Sequence, residues 1–145
     1  MTEIRIGGRT VPLLYTTCEL VEIQREFGCT GFELNEKVFG VELPEDDDPS
    51  KIRIHCAEDP EKIDKLCRLI RILGNAGLEE SGQEPDLTDK WVMRHMKPVT
   101  ISGYAFTVMY EISNGNRMES PTTEQKDGPV DEGLEEQIGK KQPGS

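Results

Sequence analysis

The chain has 145 residues, with 17 basic and 28 acidic side chains and a formal charge of −11. That length suits one domain around one modest core, and the negative charge repels phosphate backbones, which excludes nucleic acid as a natural partner. No apolar run of the roughly 18 residues a membrane helix needs occurs, and the N-terminal MTEIRIGG lacks the apolar stretch of a signal peptide, so the expected location is the cytoplasm.

In chain order, the first element is a hairpin: Glu3 to Ile6, a Gly7-Gly8 turn, then Arg9 to Leu14. Two strands alone are marginal in water, so the hairpin must lie on something else. Thr16 and Glu19 form a capping box for a helix carrying Leu20, Ile23 and Phe27 on one face, which Gly28 stops. The device repeats at Thr30 and Glu33, opening a shorter helix with Phe32, Leu34, Val38 and Phe39 that ends at Gly40. Residues 42–50, ELPEDDDPS, read as a solvated loop; the consecutive acids lack the alternate spacing and the glycine of a Ca²⁺-binding loop. Lys51 to Cys56 alternates between apolar and polar residues, the signature of a third strand that could extend the hairpin.

Asp59 and Pro60 start a helix expected to run to about Gly77, with Ile63, Leu66, Cys67, Leu69, Ile70 and Leu73 on one arc. Ile72 falls among the charged residues Asp64, Lys65, Arg68 and Arg71. Thr88 caps the next helix, with Leu87 placed to staple against Val92, and Pro98 closes it. The last helix, Val99 to Ser113, is apolar over much of its circumference. One arc holds Ile101, Tyr104, Ala105, Val108 and Ile112; a second holds Val99, Phe106, Met109 and Tyr110; Thr100, Gly103, Thr107 and Glu111 form the polar strip. Such a helix is either central to the core or meets a partner, and the wheels single out Ile72, Phe106, Met109 and Tyr110 as candidate partner-binding residues.

From Asn116 onward glycine, proline, glutamate, glutamine and lysine dominate, so residues 116–145 are expected to form a disordered acidic tail. The expected fold is therefore α+β and mainly α: residues 1–115 as an N-terminal β-hairpin packed on a small bundle of about five helices. Catalytic chemistry is not expected. There is no phosphate loop, nucleophile elbow or H-E-x-x-H, and Cys56 fits better as a strand residue than as a nucleophile activated by His95. Cys18, Cys29, Cys56 and Cys67 form no C-x-x-C pair, so neither metal nor cofactor is expected; Cys18 and Cys67 read as semi-buried helix residues.

In order, IRIGGRTVPLLYTTCELVEIQREFG, DPEKIDKLCRLIRILGNAGL, EPDLTDKWVMRHMKP and a last apolar helix resemble the tail assembly chaperones of long-tailed phages and prophages of Gram-positive hosts. The resemblance covers about residues 3–115 and rests on structural signatures, not catalytic motifs. It implies a protein that coats the tape measure protein, keeps it soluble and recruits tail tube subunits during tail morphogenesis, with homo-oligomerisation left open. The alternative is a structural neck or tail-completion subunit of the particle. Many members of the resembled family exist in two lengths through ribosomal slippage. Gly139-Lys140-Lys141 permits a slippery codon run, although two lysines near a terminus also simply confer solubility.

Overall fold

The computed structural model describes residues 1–29, 33–46 and 48–115. Strands β1 (Thr2–Ile6) and β2 (Arg9–Leu13) pair antiparallel with Ile4 opposite Val11. The turn works because Gly7 and Gly8 both take positive φ, 59° and 77°, as a tight hairpin with the strands' own twist requires. Ile4, Ile6, Val11 and Leu13 are all buried, so the hairpin lays one face on the helices.

Helix α1 (Thr17–Phe27) carries the expected capping box, the Glu19 carboxylate accepting the Thr16 amide at 2.8 Å, and it ends on left-handed Gly28. The shorter second helix reduces, among the described residues, to a π-helical turn at Asn35–Phe39 before left-handed Gly40; Thr30 and Phe32 lie outside those residues. Leu34, Val38 and Phe39 are fully buried, so the turn is held by its apolar side chains. The tail, residues 116–145, also lies outside the described part.

Helix α2 (Pro60–Glu80) is the central element, capped by Asp59 through the Glu61 amide at 2.9 Å. It runs past the expected end because Gly74 and Gly77 are close-approach positions and not stop signals. A Cβ on Gly77 would lie 2.0 Å from the Pro12 carbonyl oxygen, and one on Gly74 would lie 2.6 Å from Leu87 Cδ1. The hairpin therefore crosses α2 almost in backbone contact, and the Leu14 amide donates to the Leu73 carbonyl at 3.0 Å.

Helix α3 (Asp89–His95) follows a loop tied to α2 by Asn75, whose side-chain amide donates to the Leu87 carbonyl at 3.1 Å and accepts the Leu87 amide at 2.9 Å. Leu87 and Val92 are both buried and Thr88 caps the helix, as the staple pattern predicts. A web of charges clamps α1, α2 and α3: Glu26 accepts from Arg71 at 2.6 Å and Arg68 at 3.0 Å, and Arg71 also donates to Asp89 at 2.5 Å. Helix α4 (Ile101–Gly115) lies along β1, entered through a 3₁₀ turn at Pro98–Thr100.

Two expectations need correction. The strand in Lys51–Cys56 does not join the hairpin: β4 (Arg53–Ile54) pairs with β3 (Val41–Glu42) as a separate two-stranded sheet. The hairpin offers it no free edge, because Pro12 removes a donor from β2 and α4 takes polar groups of β1 through Tyr104 and Glu111. Cys18 is exposed and not semi-buried, whereas Cys29, Cys56 and Cys67 are buried. Burial, with the charges of Asp64 and Asp89 behind it, pushes the Cys67 thiol up to about 12.

Candidate interaction surface on the last helix

The rotation of α4 is set by its inner arc and by two polar anchors. Ala105 and Val108 are 0% exposed, with Ile101 and Ile112 buried beside them. The Tyr104 hydroxyl donates to the Arg5 carbonyl at 2.5 Å, and the Glu111 carboxylate accepts the Thr2 amide at 3.2 Å. At its far end, Gly115 meets Tyr15 so closely that a Cβ there would lie 2.5 Å from the ring. Three fixed points along one side leave the opposite side facing water.

That outer side carries most of the second arc. Val99 is 89% exposed, Phe106 48% and Tyr110 61%; Met109 is half-buried against the core. On α4 the exposed Gly103, Phe106 and Tyr110 follow one another at spacings of three and four residues and form a single stripe, and exposed Val99 precedes it in the 3₁₀ turn. From Pro98 to Gly115 the only charged residue is Glu111, and it is buried at the β1 anchor, so the stripe carries no charge.

Of the four candidate partner-binding residues, α4 brings Phe106, Met109 and Tyr110 together. Ile72 is not among them: it is 3% exposed and belongs to the core. Its neighbours Arg68 and Arg71 turn toward Glu26 and Asp89, so the side of α2 that reads as charged packs against α1 and α3. Glu111, expected in a polar strip, is instead buried at the β1 anchor. As a lone acid on an otherwise uncharged helix it could have been suspected of a fixed role, but nothing in the sequence names Thr2 as its partner.

Burial raises the Cys56 thiol above its usual range, and His95 stacks on Trp91 with ring centroids 4.3 Å apart while its Nδ1 lies 2.8 Å from the Trp91 carbonyl oxygen. In the acidic loop, Asp46 pairs with Lys51 at 2.6 Å and Asp48 accepts from the Ser50 amide at 3.0 Å. Among the described residues no group of three or more His, Cys, Asp or Glu is placed to hold a metal ion, and no helix is long and apolar enough to cross a membrane.

No family model, curated protein or solved structure matches this chain. The stripe on α4 therefore has to be interpreted from its own chemistry, which is that of a narrow, uncharged, partly aromatic surface held rigidly on an acidic domain.

Proposed function

We propose that this protein is a tail assembly chaperone which holds an amphipathic helix of a tape measure protein against the outer arc of α4 and keeps that long client soluble in the host cytoplasm. The observation that supports a client surface is the exposure of Phe106 and Tyr110 on a helix whose other arc is buried, with exposed Val99 in the turn that leads into it. Aromatic rings held in water by a rigid backbone gain roughly 25 cal/mol for each Å² of apolar area a partner covers. A client helix with apolar residues at matching spacing would supply that cover. The charge of −11 on the rest of the chain keeps loaded complexes apart in solution. Recruitment of tail tube subunits completes the role that the sequence resemblance implies, and no step in it requires a catalytic group.

The test is co-expression with a tape measure protein. The client is expected to be soluble with the native chain and to aggregate with Phe106→Asp, while the variant itself still melts cooperatively. Equal client solubility in the absence of this chain would overturn the proposal. So would the presence of this chain in purified particles, which is the behaviour of a neck or tail-completion subunit.

A further inference from the structure

The uncharged stripe of α4 has a pattern that fits itself. On the helix its members are Gly103, Phe106 and Tyr110, and Val99 continues it in the 3₁₀ turn just before, so that the two smaller residues lie toward the N-terminus and the two aromatic rings toward the C-terminus. The spacings of three and four residues from Gly103 to Phe106 to Tyr110 are those of a coiled-coil seam. When the stripe is laid antiparallel on a second copy, about a two-fold axis passing between Tyr104 and Ala105, Gly103 falls opposite Phe106 and Val99 opposite Tyr110. Each ring meets a small residue, on both sides of the axis.

The space at Gly103 is open in the single chain, where an added Cβ would meet nothing within 4 Å. This distinguishes it from Gly74, Gly77 and Gly115, each of which is crowded by its own fold. A helix-interior glycine is less stable than alanine, and the isolated chain gains no packing in return at this position. Electrostatics agree. Two copies that each carry −11 repel over most of their surfaces, and α4 is an exposed face without charge on which they can meet. Lys97, exposed and without an ion pair among the described residues, precedes the stripe; in the antiparallel arrangement it lies toward the C-terminal carbonyls of the other copy's α4, where a cation is favoured.

We propose that this face is an isologous interface, and that two copies of the chain pair through antiparallel α4 stripes with Phe106 of each seated over Gly103 of the other. The stripe extends over only about 16 Å at the helical rise per residue, so the contact is small and the dimer weak and exchangeable. The pairing does not rest on the chaperone reading. If both hold, a client helix and a second copy compete for one surface.

Sedimentation of the full chain from about 1 µM to about 100 µM tests this, because a small interface is populated only in the upper part of that range. The native chain is expected to pass from monomer to dimer. Gly103→Leu fills the hole and should weaken dimerisation at least tenfold while leaving the melting temperature at low concentration unchanged or higher, an outcome that misfolding would not produce. Phe106→Ala should weaken it similarly. A chain that stays monomeric throughout overturns the proposal, as does a dimer indifferent to both substitutions. A tighter dimer in Gly103→Leu would indicate parallel pairing of the two glycines and would overturn the antiparallel register.

Discussion

Gly77 in α2 and Gly103 in α4 are both glycines inside helices, and their surroundings could hardly differ more. At Gly77 a single added carbon would lie 2.0 Å from the Pro12 carbonyl oxygen, because β2 crosses the helix there; at Gly103 the same carbon would meet nothing within 4 Å. The first glycine is a requirement of the chain's own packing. The second is not, and its open space faces away from the molecule. Helix α2 has its interactions completed within the fold, by the hairpin on one side and by α1 and α3 through Arg68 and Arg71 on another. Helix α4 is completed on one arc only, and its outer arc, with Phe106 and Tyr110, is left exposed.

The sharpest break of this contrast is Gly77→Ala. The backbone of β2 cannot yield 1 Å or more without lifting the hairpin, so the variant should lose at least about 3 kcal/mol of unfolding free energy or fail to fold, measured by denaturant melts. A second comparison sits within α4 itself. Val108→Ala should cost about 2 kcal/mol by opening a cavity, whereas Phe106→Ala, two residues earlier on the outer arc, should stay within about 0.5 kcal/mol at low concentration. Equal losses would show that the outer arc is core.

Next in size is the clamp on α2. Burial pushes the Glu26 carboxyl upward, but hydrogen bonds from Arg71 and Arg68 outweigh it and hold that carboxyl below the ordinary range. A depressed carboxyl contributes stability above its unfolded value, and that contribution is lost as pH falls through the folded one. Arg71→Met should therefore cost about 1–2 kcal/mol at neutral pH, and the difference from the native chain should shrink as pH drops below about 4 in urea melts. The smallest change expected to be resolved is a gain: Gly103→Ala should raise the melting temperature slightly, equivalent to roughly 0.5–1 kcal/mol, in the dilute chain.

Local punctuation was the most legible part of the sequence. The Gly7-Gly8 turn, the Thr16–Glu19 capping box, the caps at Asp59 and Thr88 and the stop at Gly28 all fold as read, because each depends on residues within a few positions of one another. The division of α4 into two arcs was legible for the same reason, since helical period alone assigns side chains to faces. Which arc faces water was not. That choice depends on Tyr104 reaching Arg5 and Glu111 reaching Thr2, 99 and 109 positions away in the chain.

The same division runs through the rest of the molecule. Composition, charge and helical or strand period by themselves determined that this is an acidic, mainly helical α+β chain with a hairpin at its start. Tertiary structure alone decided that Gly74 and Gly77 continue a helix, that Ile72 is buried, that β4 (Arg53–Ile54) pairs with β3, and that Phe106 and Tyr110 face outward. The physical reason is the range of the forces involved. Caps and turns satisfy backbone groups locally, but whether a glycine stops a helix or admits a strand, and whether an apolar face is buried or exposed, depends on which distant segment packs against it.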